Sequence, residues 1–327
     1  MKNAFLILAH ADPEHLDRLV MALDHESDVY VHVDGKSDLA AFDRVRRHHH
    51  VRFIDVRFRV AWAGISMVDA TLALMRAAMA SGERYGHVGL LTGADYPLKS
   101  AAALHALLAG QPEREFIRLS AVRESPQRYL KLVERRHFRE PWLGGGSKVL
   151  GFADRALRKS LSALALPNPW RREVVPYRGH TWCAITAACC RHIVEFDRDN
   201  PWYREMNRHT FAPDEHYFHT LIGNSRFAAF ATVQPCQGGL YPMASTHLID
   251  ASLTKWFTAA DWPLVRKSEK FFLRKVRSQD GRELLDLIDR ELRAVPAAVP
   301  QQPATAKRQT QCAIACPLST ACAPLPS

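Results

Sequence analysis

The sequence HVGLLTGADYPLKS, residues 87–100, contains a strand-to-helix transition from which the architecture of the chain can be inferred. The apolar run 88–91 has the length of a fully buried strand. Gly93 then lets the backbone turn, and Ser100 is predicted to cap the helix that follows. Asp95 therefore lies just past the C-terminal end of a predicted central strand, where open α/β sheets bind their ligands. The alternative is a β-turn in which this aspartate bonds to its own backbone.

Four further runs are predicted to be strands: 4–9, 28–33, 51–56 and 115–119. Helices are predicted between them, and one of these begins at Ser66 with Asp69 as its capping-box partner. The alternation of strands and helices predicts an α/β fold with a mostly parallel sheet and helices on both faces. His10, Asp34 and Asp95 all follow strand ends, so one crevice could hold all three.

The composition indicates a globular protein with a strong positive charge. The 327 residues carry a net charge of +10, and 47% of them are hydrophobic. The seven cysteines form neither a C-x-x-C pair nor a zinc-ligand spacing, which favours a reduced, cytosolic setting. No apolar run reaches the roughly 18 residues of a membrane span, and residues 1–9 lack the features of a signal peptide. A cytoplasmic protein is therefore expected, and any attachment to the inner face of the membrane would have to be peripheral.

The segment 123–178 carries most of the excess charge, with thirteen Lys or Arg against five Asp or Glu, a net of +8. Its residues 152–166 are predicted to form an amphipathic helix with Arg155, Arg158 and Lys159 on the polar face. Such a helix can lie on an anionic membrane surface, although a polar face turned to solvent is the preferred explanation. Because no nucleic-acid-binding motif accompanies the charge, a nucleic-acid partner is not expected.

Residues 212–224, APDEHYFHTLIGN, are predicted to form a helix with Asp214 and Glu215 in its first turn. Carboxylates at that position favour the helix dipole, which is a purely structural explanation for them. The alternative is that one of them is a catalytic base projecting into the crevice.

Two other charged strings have competing explanations. Residues 271–276, FFLRKV, place Arg274 beside Lys275, either as surface charges or as a clamp on a phosphate. The string Asp197-Arg198-Asp199 has the D-x-D form of a metal site, but it follows a predicted helix and is assigned to a helix end.

From about Arg293 onward the composition shifts to Ala, Pro, Gln and Thr without aromatic residues. Such a segment cannot bury a core, so residues 294–327 are predicted to be disordered and residues 1–293 to form a single domain. The three consecutive glycines 144–146 are predicted to form a flexible loop. The three cysteines of the tail are assigned no role.

With these pieces placed, the sequence resembles the core-2/I-branching β-1,6-N-acetylglucosaminyltransferase and peptide O-xylosyltransferase family, in particular its compact bacterial members. Seven motifs match in order: LILAHADPEHLDRLV (6–20), VYVHVDGKS (29–37), WAGISMVDATLALM (62–75), LLTGADYPLKS (90–100), WCAIT (182–186), PDEHYFHTLIGNS (213–225) and FFLRKV (271–276). Each motif alone is weak, whereas seven in the right order are a strong signal. The family usually has two adjacent aromatic residues where this chain has Trp182-Cys183, and residues 123–178 match poorly.

The resemblance implies a GT-A-like fold and an inverting transfer of a sugar, of the N-acetylglucosamine or xylose type, from a UDP-sugar to a glycan or lipid-linked acceptor. The family works without metal, so no metal or other cofactor is expected, and Asp95 is the single carboxylate where metal-dependent GT-A enzymes carry Asp-x-Asp. Arg274 and Lys275 match the cations that hold the diphosphate in the family, a role that suits a charged leaving group. His10 and Asp34 are expected on the nucleotide side with Asp95.

Glu215 matches the family's catalytic glutamate, the general base for the acceptor hydroxyl. Its place in the first turn of a helix predicts a low pKa. Asp214 is expected to orient the loop or bind a hydroxyl, and Trp62, Gly64 and Trp182 are expected to line the sugar or acceptor. A non-catalytic carbohydrate-binding relative and a basic membrane-surface adaptor are the alternative functions, and the presence of Glu215 together with two cations favours the enzyme.

Deleting residues 300–327 is expected to leave the melting temperature nearly unchanged, because the tail has no apolar residues at a helical or strand period. Thermal unfolding of the full and the truncated chain, followed by circular dichroism, tests this expectation. A loss of several degrees would show that the tail packs against the domain.

Overall fold

The computed structural model describes residues 1–24, 27–142, 148–235 and 243–294. Its strands are β1 (Lys2–Ala9), β2 (Ser27–Val33), β3 (Val51–Phe53), β4 (Tyr85–Thr92), β5 (Asp95–Pro97), β6 (Arg118–Ala121), β7 (Tyr177–Arg178), β8 (Ala184–Thr186), β9 (Thr232–Val233), β10 (His247–Ile249) and β11 (Phe272–Arg274). Its helices are α1 (Pro13–Ala22), α2 (Asp43–Arg46), α3 (Ser66–Met79), α4 (Ala101–Ala109), α5 (Gln127–Glu134), α6 (Lys148–Ala163), α7 (Ala187–Asp199), α8 (Pro201–Asn207), α9 (Tyr217–Gly223), α10 (Trp262–Val265) and α11 (Ser278–Ile288). The glycines 144–146 and the tail from residue 295 lie outside the described residues, so the predictions about them stay predictions.

The main sheet has five strands in the order β3-β2-β1-β4-β8. The first four strands are parallel, and β8 pairs antiparallel with β4. This arrangement confirms the predicted α/β class with a mostly parallel sheet. The predicted strand 115–119 touches that sheet through an isolated antiparallel bridge between Phe116 and Ala184 of β8, and its regular strand, β6, begins only at Arg118. Strand β6 instead pairs with β7 and β9 in a separate three-stranded sheet.

Each face of the main sheet packs against its own layer of helices. Along β1, Ala4, Leu6 and Leu8 belong to one buried cluster, and Phe5 and Ile7 belong to the other. This alternation follows from the two-residue period of a strand, and it requires both faces to be covered. Helices α3, α7 and α9 contribute to the first cluster, while α1, α4 and α11 contribute to the second. The prediction of helices on both faces is therefore confirmed.

Three predictions about helix ends can be compared with the structure. The Ser100 side chain accepts a hydrogen bond from the backbone N–H of Ala103, as predicted for the start of α4. The capping box predicted for α3 is wrong. The Ser66 hydroxyl accepts from the N–H of Ala61 at 2.8 Å, and the Asp69 carboxylate binds a guanidinium of α8. Helix α7 ends at Asp199, so the D-x-D string is a helix end as assigned.

A second small sheet, β10-β11-β5, extends the structure beyond the C-terminal end of β4. Strand β5 follows β4 after two residues and pairs antiparallel with β11, which places Asp95 directly opposite Arg274. Two segments that are far apart in sequence thereby meet at the edge of the main sheet. In the described part of the chain, no helix combines the length and apolar character needed to cross a membrane.

Candidate active site

A cavity of about 430 Å³ opens at the C-terminal edge of the main sheet. Its wall includes His10, Asp34 and Thr92, which lie at the ends of β1, β2 and β4, together with Arg274 and Lys275 from the end of β11. This is the position at which open α/β sheets bind ligands. The structure therefore brings four of the five predicted donor-side residues into one cavity, which we call the first cavity.

Arg274 is held in place by two kinds of contact. Its Nη1 donates to Asp95 Oδ1 at 2.8 Å and also to the hydroxyl of Thr92. Its guanidinium lies over the Trp182 ring, with Cζ 4.5 Å from the ring centroid. A guanidinium carries five N–H donors, so a side chain anchored in this way keeps donors for an anion in the cavity.

Lys275 lines the same cavity with an ammonium group that forms no hydrogen bond or ion pair to the described residues. Its nearest recorded aromatic contact is Trp256, whose ring centroid lies 6.0 Å from Nζ. Burial and the neighbouring Arg274 lower the pKa of this ammonium. A bound anion would relieve both effects, because it adds an opposite charge to a partly desolvated cation.

Asp95 is fully buried and does not line the cavity, so the predicted contact between this residue and a donor is wrong. Its carboxylate accepts from Arg274 and from the backbone N–H of Thr92, and its Oδ2 lies 3.3 Å from Nε2 of His247. Burial opposes its ionisation, yet Arg274 and His247 hold its pKa well below the usual range. Asp95 therefore acts on the cavity through Arg274.

The nucleotide-side wall is formed partly by β2. Asp34 accepts from the backbone N–H of Lys36 at 2.8 Å, and the ammonium of Lys36 lies 3.4 Å from the same carboxylate. His32 accepts from the N–H of Phe58 through Nε2, and burial lowers its pKa to about 4. The imidazole is therefore neutral at physiological pH, and Asp34 supplies the charge of this part of the wall.

A second cavity of about 260 Å³ adjoins the first one. The two cavities share the side chains of Trp62, Met67, Trp182, Arg274 and Lys275. The second cavity also contains both predicted acceptor-side carboxylates, those of Asp214 and Glu215. A molecule bound in the first cavity and a molecule bound in the second would therefore contact the same shared side chains.

Glu215 is bound on one oxygen only. Arg178 donates to Glu215 Oε2 through Nη2 at 2.9 Å and through Nε at 3.3 Å. Among the described residues, no hydrogen-bond donor reaches Oε1. The side chain is 19% exposed. This leaves one carboxylate oxygen able to accept a proton from a ligand in the second cavity.

Burial raises the pKa of Glu215 to about 7, against the lowering effect of Arg178. The low pKa expected from a helix start is therefore wrong. Residues Pro213–Glu215 form a separate 3₁₀ turn, and α9 begins only at Tyr217. Burial also raises the pKa of Asp214, whose Oδ2 accepts from the Thr181 hydroxyl at 2.9 Å. Desolvation outweighs the small dipole of a single turn.

Trp62 is the exposed part of the shared wall, with 72% of the residue accessible. Its ring packs edge-on against Phe211, and the guanidinium of Arg139 lies 4.7 Å from its centroid. The following residue, Ala63, and Ala212 before the 3₁₀ turn both have left-handed backbone, with φ of 59° and 48°. The N–H of Ala212 donates to the carbonyl of Ala63 at 3.2 Å. This hydrogen bond between two residues with strained backbone joins the loop that contains Trp62 to the 3₁₀ turn that contains Asp214 and Glu215.

Gly64 lines neither cavity, so the predicted acceptor contact is wrong. A Cβ at this position would collide with the carboxylate of Glu140. That carboxylate accepts from the N–H of Ser66 at 2.8 Å, at the start of α3. The glycine is thus needed for packing, because it admits a side chain that satisfies the helix end.

Several residues of the site were not predicted, among them Arg178, His180 and Trp256. Arg178 is one of thirteen Lys or Arg in the basic segment, and the sequence does not show that its guanidinium reaches Glu215. His180 and Trp256 line the second and the first cavity, respectively, and no sequence pattern marks either of them. Within the described ranges, no group of three His, Cys, Asp or Glu side chains is arranged to hold a metal ion.

The fold and the site together define an α/β protein with a two-part cleft, in which Arg274 and Lys275 line both parts and Asp214 and Glu215 line the second. The family model of the core-2/I-branching enzymes matches residues 3–234. The chain therefore belongs to the core-2/I-branching enzyme family, and the predicted resemblance is confirmed. Arg274 and Lys275 lie beyond the matched region.

Individual relatives are distant. The chain is 22% identical over 299 residues to xylosyltransferase oxt of Drosophila melanogaster, an alignment that covers 84% of this chain and 32% of that protein. It is 24% identical over 234 residues to human xylosyltransferase 2, covering 69% of this chain and 25% of that protein. The chain thus spans about a third or less of the length of these relatives.

The carboxyl group of Glu215 is expected to titrate near pH 7, and Arg178→Met is expected to raise its pKa further, because the guanidinium stabilises the charged form. Carbon-detected NMR titration of labelled side-chain carboxyls measures both values. The matched control is Arg171→Met, which removes an arginine that lies over Trp202. A Glu215 midpoint near the ordinary value of about 4.3 would contradict the burial described here.

Proposed function

We propose that this chain is an inverting glycosyltransferase that moves a sugar from a UDP-sugar to a hydroxyl acceptor. The observation that carries the proposal is the pair of adjoining cavities. Both are lined by the cations Arg274 and Lys275, and the second also contains Glu215, whose Oε1 accepts no hydrogen bond from the described residues. Membership of the core-2/I-branching enzyme family and likeness to two xylosyltransferases support the same class of reaction.

The proposed reaction is a single displacement. Oε1 of Glu215 takes the proton of the acceptor hydroxyl while the hydroxyl oxygen forms a bond to the anomeric carbon of the donor. The bond between that carbon and the diphosphate oxygen breaks, and its electron pair leaves with UDP. Attack from the face opposite the leaving group inverts the configuration. A base with a pKa near the working pH is the most effective acceptor of this proton.

The negative charge that develops on UDP needs a partner, and Arg274 and Lys275 are the candidates. Both side chains lie on the wall shared by the two cavities, so they are close to donor and acceptor alike. Fixed cations stabilise a leaving diphosphate in the way that a divalent metal does in other enzymes. We therefore propose that transfer needs no metal and no other cofactor.

The aromatic wall suits a sugar. Trp62 and Trp182 line both cavities, and Asp214 lies next to the proposed base in the second cavity, where it can bind a hydroxyl. A donor of the xylose or N-acetylglucosamine type and a glycan or lipid-linked acceptor fit the proposal. A non-catalytic carbohydrate-binding protein does not need a carboxylate with an accessible oxygen beside two cations, so the enzyme is preferred.

Lys275→Ala is expected to weaken UDP binding by about 1.5–3 kcal/mol, the range for a hydrogen bond to a charged group. Donor turnover by the unaltered chain is expected to survive EDTA. Calorimetry with UDP and a donor-hydrolysis assay measure the two effects, and the exposed Lys267→Ala serves as the control. An absolute requirement for Mn²⁺ or Mg²⁺ would contradict this assignment.

Glu215→Gln is expected to lower kcat by roughly 10²–10⁴, the usual contribution of general base catalysis, and to leave UDP affinity nearly unchanged. Asp214→Asn is expected to cost less. In the unaltered chain, kcat/KM should rise with pH through about 7, because only the ionised carboxylate accepts the proton. Steady-state kinetics with saturating donor measures these values.

Two outcomes would overturn the assignment of the base. An active Glu215→Gln variant together with an inactive Asp214→Asn variant would make Asp214 the base. If both variants kept full activity, neither of the two carboxylates would be the base, and the proposed reaction would be wrong.

A further inference from the structure

Helix α6 is attached to the rest of the protein through polar contacts. Asp154 is the buried residue of the helix. It accepts from the N–H of Trp142 at 3.0 Å and from Nε of Arg158 at 2.8 Å. Arg158 also donates to the carbonyl of Arg139 at 2.9 Å, and the hydroxyl of Ser162 accepts from the N–H of Phe138 at 3.1 Å. The side of α6 that carries Asp154 and Arg158 therefore faces inward.

The opposite side of α6 carries two exposed apolar side chains. Val149 and Phe152 are 76% and 73% exposed, and Leu150 and Leu157 are also exposed. With about 100° between successive residues of a helix, Val149 and Phe152 lie on the side away from Asp154, whereas Leu150 and Leu157 lie about one turn from Asp154 on its own side. We call the side that carries Val149 and Phe152 the outer face of α6. The predicted polar face is wrong in one respect, because Arg158 points inward rather than to solvent.

Three exposed cations border the outer face: Lys148, Arg155 and Lys159. Arg155 follows Lys148 by seven residues, and Lys159 follows Arg155 by four residues. Both spacings are close to whole helical turns, so the three cations lie together at one margin of the outer face. The single acidic residue of α6 is Asp154, which is buried and paired with Arg158. The outer face therefore combines apolar anchors with unopposed positive charge, within a segment whose net charge is +8.

The combination of exposed apolar side chains and positive charge on the outer face of α6 favours one kind of partner. A helix with an apolar face and a cationic border binds at an anionic lipid surface, where the apolar side chains enter the interface and the cations meet lipid headgroups. A second copy of α6 would satisfy the apolar side chains but offers no acidic residue to the cations. We propose that the outer face of α6 docks the protein on an anionic membrane surface.

The same helix is connected to the acceptor side of the site. Arg158 and Ser162 hold the segment 138–142, and Arg139 of that segment lies over both Trp62 and Phe211. These two aromatic residues line the second cavity. Docking through α6 would thus hold the acceptor cavity near the lipid surface, which suits a lipid-linked acceptor. This last consequence rests on the proposed function, whereas the docking itself does not.

Vesicle flotation of the full chain tests the docking without any assay of sugar transfer. The chain is expected to float with vesicles of phosphatidylcholine and phosphatidylglycerol, and to float much less with pure phosphatidylcholine. Raising the salt concentration should weaken the binding to the anionic vesicles. The double variant Val149→Ser/Phe152→Ser should reduce binding about tenfold or more, because it removes both apolar anchors of the outer face.

Two further variants make the test specific. The triple variant Lys148→Gln/Arg155→Gln/Lys159→Gln should abolish the preference for anionic vesicles. The control Met21→Ser/Leu264→Ser removes exposed apolar side chains elsewhere and should float like the unaltered chain. Hydrolysis of a UDP-sugar in solution is measured separately, and all variants should match the unaltered chain. A failure of the proposed function would abolish hydrolysis in every variant and leave flotation unchanged, so it would not be mistaken for a failure of docking.

Three results would overturn the proposal. The first is no flotation, or flotation that neither salt nor lipid charge alters. The second is equal flotation of the outer-face variants and the unaltered chain. The third is a dimer in solution that becomes a monomer in Val149→Ser/Phe152→Ser without any vesicle binding, which would assign the outer face to a second copy of the chain.

Discussion

The buried ion pair between Asp95 and Arg274 is the contact on which the site depends. It joins the residue after the β4 turn to the last residue of β11, and its oxygen and nitrogen are 2.8 Å apart. Removing one partner of such a pair leaves an uncompensated buried charge, which typically costs about 3–5 kcal/mol. Because the same guanidinium lies over Trp182, the pair also fixes the wall between the two cavities. This ion pair thus positions both the guanidinium of Arg274 and the wall between the two cavities.

Burial opposes the ionisation of both carboxylates that matter most, and their charged partners decide the outcome. Asp95 stays ionised because Arg274 and His247 face it closely. Glu215 has one arginine partner on one oxygen, and burial therefore raises its pKa to about 7. The first carboxylate is suited to holding a cation, and the second is suited to exchanging a proton. Environments that separate the pKa values of neighbouring acids are typical of catalytic sites.

Local pattern predicted the parts of the site that lie at strand ends. His10 and Asp34 were placed correctly because parallel strands end at a common edge. Arg274 reaches the same edge through antiparallel pairing with a distant strand, which no local pattern shows, so its role was inferred only from the family resemblance. The pKa of Glu215 was predicted in the wrong direction, since desolvation depends on residues that are remote in sequence. The period of α6 predicted a helix, but only the contacts of Arg158 show which side faces inward.

The most direct test of the account is a crystal structure of the chain with UDP, determined once with EDTA and once with Mn²⁺ present. The account predicts that UDP has the same position in both structures. Its diphosphate lies in the first cavity and accepts hydrogen bonds from Arg274 and Lys275, and the phosphate oxygen that would carry the sugar faces Glu215. A diphosphate bound elsewhere, or held through a metal ion on Asp95 while Lys275 stays free, would contradict it.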